Sequence, residues 1–117
     1  MLLLCDAYKV FGERRYLDEA RRAGEAVWQR GLLCKGRGIC HGITGNALCL
    51  LRLYQASGDA KYLRRAQHFA LFEVAHRGDI NRADAPLSFL NGFGASVMFY
   101  TELLHAPEAP TIPGWDI

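Results

Sequence analysis

A 46-residue internal repeat is the feature that most constrains what this chain can fold into. The segment 7–20 matches the segment 53–66 without a gap. Repeats of this length are typical of proteins built from one small unit, stacked so that neighbouring units bury each other's apolar faces. The residues that recur in register are Tyr8 and Tyr54, Gly12 and Gly58, Tyr16 and Tyr62, Leu17 and Leu63, and Ala20 and Ala66.

Each repeat predicts two helices joined by a tight turn. Gly12 and Gly58 fall between the two helical segments and suit the left-handed conformation that often ends a helix. Asp59 can then cap the following helix through its carboxylate. No segment shows the strict alternation of apolar and polar residues that a half-buried strand needs. We therefore predict an all-α fold.

The two helices of a unit differ in their apolar pattern. The first is apolar on almost every side, which predicts burial on most sides. The second has one apolar stripe between charged residues, which predicts one face on the core and one in water. The pattern therefore alternates an inner helix with an outer helix. The inner-helix residues are Leu2, Leu3, Leu4, Ala7, Tyr8 and Phe11, then Ala47, Leu48, Leu50, Leu51, Leu53 and Tyr54. The outer-helix stripes are Tyr16, Ala20, Ala23 and Val27, then Tyr62, Ala66, Phe69 and Ala70.

A shorter repeat marks the starts of the inner helices. The segment 41–46 (HGITGN) resembles the segment 91–96 (NGFGAS), 50 positions later. A polar connection, residues 77–88, precedes the second copy, and the prolines after His105 prevent a continuing helix. The chain thus supplies about two and a half helical hairpins, too few to close a ring. We expect residues 1–117 to be the C-terminal part of a longer domain, or to need a partner that covers the open edge.

Charge and cysteine usage argue against several other classes of protein. The net charge is +2 with acids and bases interspersed, so we expect no nucleic-acid partner. No apolar run reaches the roughly 18–20 residues that a membrane span needs. The four cysteines fit no disulfide scaffold of a small secreted protein, which favours a reducing, cytoplasmic location. Cys5 and Cys49 are interpreted as small buried residues.

The segment 35–45 (KGRGICHGITG) carries the one conspicuous chemical motif, the pair Cys40 and His41. Thiolate and imidazole are preferred zinc ligands. Flanking glycines allow the backbone to turn so that both side chains converge, and the N-terminus of the following helix favours the thiolate. The alternative is a glycine-rich turn with a buried thiol and an exposed imidazole, in which the glycines serve helix packing.

This motif and its surroundings resemble the lanthionine synthetase C-like proteins, in particular the eukaryotic members. The segment 31–47 (GLLCKGRGICHGITGNA) is similar to the family's second Cys-His-Gly motif. The resemblance extends over essentially all 117 residues and corresponds to roughly the last third of a family member. The other segments that carry it are 7–11 (AYKVF), 28–33 (WQRGLL), 61–66 (KYLRRA), 86–92 (PLSFLNG) and 109–115 (APTIPGW).

The resemblance implies an α/α-toroid, in which inner and outer rings of helices surround a zinc ion. Family members hold this zinc with two cysteines and one histidine, and a thiol substrate takes the fourth position. The thiol belongs to glutathione or to a peptide cysteine, and it adds to dehydroamino acids in a protein or peptide. The resemblance therefore implies a zinc-dependent glutathione transferase or a thioether-forming lyase.

Carried onto this sequence, the resemblance assigns Cys40 and His41 as zinc ligands. It assigns Lys35 as a substrate-binding residue that pairs with a substrate carboxylate. The family's other cysteine aligns before Met1, and the acid–base residues of the bacterial members have no counterpart in this chain. Asn91 stands where relatives often carry the glutamate of a Phe-Glu-Gly motif. We therefore expect an incomplete site and a chain that is inactive alone, without a catalytic residue of its own.

Two other functions stay open at this point. One is a non-catalytic module of the same fold that binds glutathione or signalling partners. The other is a structural all-α repeat that binds no metal. Arg37 is a weaker candidate than Lys35 for binding a substrate carboxylate, and the remaining histidines are interpreted as structural.

Overall fold

The computed structural model describes residues 1–33, 35–76 and 85–106, which contain five helices. No strand occurs within these three ranges, so the all-α prediction is confirmed. No helix in them is long and apolar enough to cross a bilayer. The expectations for most of the polar connection and for the proline-containing tail fall outside the described residues. The helices are α1 (Leu2–Phe11), α2 (Arg14–Arg30), α3 (Ile43–Ser57), α4 (Ala60–Ala75) and α5 (Phe93–Leu104).

The turns between α1 and α2 and between α3 and α4 have the predicted geometry. Gly12 and Gly58 adopt left-handed φ values of 68° and 69°. The N–H of Gly12 donates to the carbonyl of Tyr8 at 2.8 Å, and that of Gly58 donates to the carbonyl of Tyr54 at 2.7 Å. Asp59 caps α4, because its carboxylate accepts a hydrogen bond of 2.9 Å from a backbone N–H in the first turn. The predicted caps are therefore confirmed.

Helix α3 lies at the centre of the described structure and packs against each of the other four helices. It is buried on most sides, as its apolar sequence predicts. Its apolar residues join Tyr62 and Phe69 of α4 and Phe99 of α5 in one core. The buried residues of α3 are Ile43, Thr44, Ala47, Leu48, Leu50, Leu51 and Leu53.

Helix α1 is much more exposed than its sequence predicts. Cys5 is its one buried residue, whereas Leu3, Val10 and Phe11 are 76%, 68% and 65% exposed. Among the described helices, α2 and α3 are the ones that pack extensively against α1. The prediction of burial on most sides is therefore wrong for α1, because an apolar helix is buried only where a neighbour covers it.

The outer helices each bury one face. Helix α4 buries all four residues of its predicted stripe. In α2 the buried residues are Leu17, Ala20 and Gly24, so the buried stripe is displaced by about one position from the predicted one. Gly24 belongs to the buried stripe because it lets α2 approach α3 closely. A Cβ atom at Gly24 would lie 2.5 Å from Cδ2 of Leu53 on α3.

Inner and outer helices alternate along the chain, as predicted. Helices α1, α3 and α5 are the inner ones, and α2 and α4 are the outer ones. The repeat-equivalent residues Asp6 and Arg52 form an ion pair of 2.9 Å, so α1 and α3 lie side by side in matching register. The arrangement is a partial α/α-toroid of about two and a half hairpins.

Candidate metal centre

The candidate ligands lie between α2 and α3, on a tight loop that turns back on the helix it precedes. Gly36 has a φ of 115°, a left-handed value that favours glycine. Its carbonyl accepts a hydrogen bond of 3.1 Å from the N–H of Ile43, and the carbonyl of Gly38 accepts one of 3.0 Å from the N–H of Gly42. The loop therefore satisfies the first N–H groups of α3 with its own carbonyls, and no side-chain cap is needed.

Glycine is required at three positions because backbone packs directly on backbone. A Cβ atom at Gly38 would lie 2.7 Å from Cα of Asn91. One at Gly42 would lie 2.6 Å from the carbonyl oxygen of Gly38, and one at Gly45 would lie 2.9 Å from the carbonyl carbon of Ile39. All three distances are shorter than real Cβ contacts. The glycines thus serve packing of the loop, which is one of the two roles that the sequence left open.

Cys40 and His41 are both exposed, immediately before Gly42, the N-cap residue of α3. Cys40 is a free thiol, and its backbone N–H donates to the carbonyl of Leu90 at 3.2 Å. Its exposure contradicts the alternative of a buried thiol in this turn. Lys35 is exposed on the same loop. The structure therefore brings the three predicted site residues to one accessible loop, and their roles stay predictions.

A second loop with the same hydrogen bonds precedes α5. The N–H of Gly92 donates to the carbonyl of Ser88 at 2.9 Å, and the N–H of Phe93 donates to the carbonyl of Pro86 at 2.7 Å. These are the bonds of the first loop, shifted by 50 positions. The shorter repeat of the sequence is therefore confirmed as a repeat of structure.

The two loops differ in their side chains at matching positions. Leu90 and Asn91 stand where the first loop carries Cys40 and His41. The hydrogen bond from Cys40 to Leu90 joins the loops, and Asn91 is exposed beside it. The neighbour of the candidate ligands is thus a neutral amide rather than a carboxylate.

Arg37 lies beneath the loop rather than on its surface. The side chain is 5% exposed, and its guanidinium donates to the backbone carbonyl of Glu73 on α4 at 2.8 Å. It also lies 5.6 Å from the ring centre of Phe93, and its Nε has no hydrogen-bond partner among the described residues. This burial argues against the interpretation of Arg37 as a residue that binds a substrate carboxylate.

Glu73 is a buried carboxylate that sequence reasoning missed. Its Oε1 accepts a hydrogen bond of 2.6 Å from the hydroxyl of Thr44, and its Oε2 accepts one of 3.0 Å from the hydroxyl of Tyr100. The hydroxyls of Thr44 and Ser96 lie 3.2 Å apart. Burial, and then the charge of Glu73, raise the pKa of Tyr100 well above its ordinary value. The sequence held a signal, because position 73 continues the buried stripe of α4 after Phe69 and a glutamate there needs polar partners.

A separate cavity of about 260 Å³ lies between the C-terminal halves of α1 and α3. The ion pair of Asp6 and Arg52 lines it, together with Cys5, which is buried as predicted. Burial raises the pKa of Cys5 to about 11, so this thiol stays protonated and unreactive near neutral pH. Cys49 is only partly buried, which corrects its interpretation as a buried residue, and desolvation raises its pKa as well. Among these thiols, Cys40 is the accessible one.

The donor atoms of the first loop suit zinc by their chemistry. Thiolate sulfur and imidazole nitrogen are its common protein ligands, and catalytic zinc sites use three protein ligands and one open position. Within the described ranges, no group of three or more His, Cys, Asp or Glu side chains could hold a metal ion. The pair Cys40 and His41 therefore fits two of the three protein ligands of such a site.

Fold, repeat and loop together define a class: a helical-repeat protein of the α/α-toroid type, with a cysteine–histidine pair before an inner helix. The family model of the lanthionine synthetase C-like proteins matches residues 1–108, and the chain belongs to this family. The resemblance predicted from the sequence is confirmed.

Two relatives extend this comparison. The chain is 43% identical over 108 residues to "Glutathione S-transferase LANCL1" of Danio rerio, covering 92% of this chain and 27% of the relative. It is 31% identical over 122 aligned residues to "LanC-like protein GCL1" of Arabidopsis thaliana, covering 99% of this chain and 28% of the relative. The chain thus spans just over a quarter of the length of the curated relatives it matches.

Proposed function

We propose that Cys40 and His41 are two ligands of a zinc site that activates a thiol for addition to dehydroamino acids. The observation that carries the proposal is their placement: both side chains are exposed and adjacent on a loop pinned to the start of α3. The similarity to a relative named as a glutathione S-transferase makes glutathione the first thiol to test, with a peptide cysteine as the second.

Each residue of the loop has a distinct part in this function. Cys40 and His41 bind the metal, which when bound supplies the positive charge that favours a thiolate. The ammonium of Lys35 attracts a carboxylate of glutathione, because opposite charges attract each other even when both stay exposed to water. In the addition, the sulfur bonds to the β-carbon of the dehydroamino acid and a proton goes to its α-carbon.

The chain alone is expected to hold zinc weakly and to show no turnover. Cys40 and His41 form part of a three-ligand set, and affinity falls steeply when a ligand is missing. The acceptor in the complete reaction is a protein or peptide that carries a dehydroamino acid. A thiolate ligand needs a reduced cysteine, so the proposal includes a reducing, cytoplasmic location.

A second candidate is a non-catalytic module that binds glutathione or a partner at the same loop. The exposed ammonium of Lys35 favours it, because this charge can recognise a carboxylate without a metal. The two candidates differ in whether glutathione binding depends on zinc.

The test measures zinc and glutathione binding by calorimetry and by competition with a chromophoric chelator. We expect Cys40→Ser and His41→Ala each to weaken zinc binding by more than about tenfold. His68→Ala is the matched control, since His68 is an exposed histidine on α4. Equal zinc affinity in the wild type and in Cys40→Ser contradicts the ligand assignment.

The zinc dependence of glutathione binding separates the two candidates, and Lys35→Ala tests whether this lysine contributes to that binding. In the zinc-thiol function, glutathione binds measurably only when zinc is present, and Lys35→Ala weakens this zinc-dependent binding. If metal-free protein and Cys40→Ser bind glutathione as well as the zinc-loaded wild type, the non-catalytic module is correct. The matched control is Lys9→Ala, which removes an exposed lysine from α1.

A further inference from the structure

The candidate loop rests on a buried cluster of polar side chains. Arg37, Thr44, Glu73 and Ser96 are buried, and Tyr100 is partly buried against them. We call these five residues the polar cluster. Burying polar groups costs free energy unless they are hydrogen-bonded, and a bonded network in a low-dielectric interior holds its members in one geometry.

Glu73 connects both ends of the short segment that carries the candidate ligands. Arg37 lies three residues before Cys40, and Thr44 lies three residues after His41. The guanidinium of Arg37 donates to the backbone carbonyl of Glu73 at 2.8 Å. The hydroxyl of Thr44 donates to the carboxylate of the same residue at 2.6 Å. One residue of α4 thus holds segment 37–44 at its two ends.

The polar cluster also fixes the neighbouring inner helix. The hydroxyl of Tyr100 donates to the second carboxylate oxygen of Glu73 at 3.0 Å, and the hydroxyls of Thr44 and Ser96 lie 3.2 Å apart. These bonds join α4, the start of α3 and the middle of α5. The hydrogen bond of 3.2 Å from Cys40 to the second loop therefore connects two loops whose helices are already tied together.

We propose that Glu73 is a positioning residue for the metal pair: through Arg37 and Thr44 it fixes the segment that carries Cys40 and His41. The metal part of this inference rests on the proposed function, whereas the loop part does not. Ligands held in place before binding lose less conformational freedom when the metal binds. Mutation of residues that orient metal ligands through hydrogen bonds commonly lowers metal affinity by roughly 10–100-fold.

Three variants test the connection at its two ends, and a fourth is the control. Thr44→Val keeps the shape of the side chain but removes the hydroxyl, whereas Thr44→Ser keeps the hydroxyl. Arg37→Lys keeps the charge but replaces the planar guanidinium, which changes the donor geometry. Thr101→Val is the matched control, because among the described residues the Thr101 hydroxyl bonds within α5, to the carbonyl of Val97 at 3.0 Å.

The first measurement needs no metal. Hydrogen exchange of backbone amides is followed in the metal-free chain, with Cys40 and Gly42 as reporters of the loop and Gly12 as a reporter of the first hairpin. Thr44→Val and Arg37→Lys are expected to speed exchange in the loop by about tenfold or more and to leave Gly12 unchanged. Thr44→Ser restores the wild-type rates, and Thr101→Val never alters them.

The second measurement is metal binding by the same variants. Zinc affinity is expected to fall roughly 10–100-fold in Thr44→Val and Arg37→Lys and to recover in Thr44→Ser. With Co²⁺ in place of zinc, the visible absorption bands should shift in Thr44→Val and Arg37→Lys at saturating metal. A general loss of stability would not shift these bands, because it leaves the ligand geometry of the metal-bound protein unchanged.

The outcomes separate this inference from the proposed function. Unchanged loop exchange in both Thr44→Val and Arg37→Lys overturns the positioning role, and so does an equal increase at Gly12. Faster loop exchange with wild-type zinc affinity and Co²⁺ spectrum overturns it for the metal pair. If the wild type binds no zinc but loop exchange responds as expected, the proposed function fails while the positioning of the loop by Glu73 stands.

Discussion

The two complete hairpins, α1–α2 and α3–α4, share a sequence repeat but differ sharply in burial. Leu50 of α3 is fully buried, whereas Leu4, at the matching position of α1, is only partly buried. Leu51 and its counterpart Cys5 are both buried. Leu3 of α1 is 76% exposed, whereas its counterpart on α3, Cys49, is partly buried.

This difference shows that the apolar surface of a helix and the part of that surface that is buried are separate quantities. Both inner helices are apolar on most sides, so each is able to pack against neighbours all round. Among the described helices, α3 packs against all four others, whereas α1 packs mainly against α2 and α3. Periodicity thus predicts the helix and its apolar surface, and the number of neighbours decides how much of that surface leaves water.

The largest expected effect comes from shortening matching leucines in the two inner helices. We expect Leu50→Ala to lower the free energy of unfolding by about 3 kcal/mol, because it leaves a cavity in the core. Leu4→Ala should cost about 1 kcal/mol, since that side chain is partly in water already. Urea unfolding followed by circular dichroism measures both. Equal losses would show that α1 is as well buried as α3 in solution, against the structure.

Sequence reasoning reached the fold because its signals are local. The left-handed turns at Gly12 and Gly58 and the cap at Asp59 follow from residues close together in the chain, and the 46-residue repeat shows the same local pattern twice. The loop before α3 was also recognisable from its glycines. Its backbone contacts are so close that only glycine fits at positions such as Gly42.

The buried polar side chains and the contact between the two loops could not be predicted, because they depend on contacts between distant parts of the chain. Glu73 reaches Thr44 across 29 positions and the guanidinium of Arg37 reaches it across 36, and periodicity contains no such pairing. The same holds for the hydrogen bond from Cys40 to Leu90. Charged residues at 37 and 73 suggested solvent exposure by type, but the fold buries both. The guanidinium of Arg37 donates to the backbone carbonyl of Glu73, and the carboxylate of Glu73 accepts hydrogen bonds from Thr44 and Tyr100.

The helix-ending glycines should behave alike in both hairpins, in contrast to the leucines. Gly12→Ala and Gly58→Ala each place a Cβ atom at a left-handed φ with no steric contact within 4 Å. We expect each to cost about 1 kcal/mol, from backbone strain alone. Urea unfolding of the two variants measures the costs. A cost at Gly58 several times that at Gly12 would mean that burial of α3, rather than local strain, sets the effect.

The inner ion pair between the hairpins provides a smaller effect. Asp6 of α1 and Arg52 of α3 are 2.9 Å apart, with side chains 21% and 13% exposed. A double-mutant cycle with Asp6→Asn and Arg52→Gln should give a coupling of roughly 0.5–1 kcal/mol. The control cycle uses Glu19 and Arg22, an exposed pair within α2, for which roughly 0.3 kcal/mol is expected. A coupling no larger than that of the control would remove this pair as a link between the inner helices.

The outer ion pair between the hairpins should produce the smallest effect, and one that depends on pH. Two hydrogen bonds of 2.8 Å from Arg65 of α4, and then Lys61, lower the pKa of Glu25 on α2 from 4.5 to about 2. A lowered folded-state pKa stabilises the protein above about pH 4.5, and this stabilisation is lost as the pH falls toward 2. The Glu25 side chain is 41% exposed, so solvent screening limits the effect to roughly 0.5 kcal/mol.

Glu25→Gln tests this link by removing the charge and keeping the size of the side chain. Urea midpoints of the wild type and the variant should differ at pH 6 and converge as the pH falls below 4, because protonation of Glu25 makes the two chains alike. Trp28 lies beside Arg65, 5.0 Å from guanidinium carbon to ring centre, so its fluorescence can report on the α2–α4 contact. A difference that stays constant from pH 6 to pH 2.5 would mean that the amide disturbs packing and that the charge of Glu25 does not join the two hairpins.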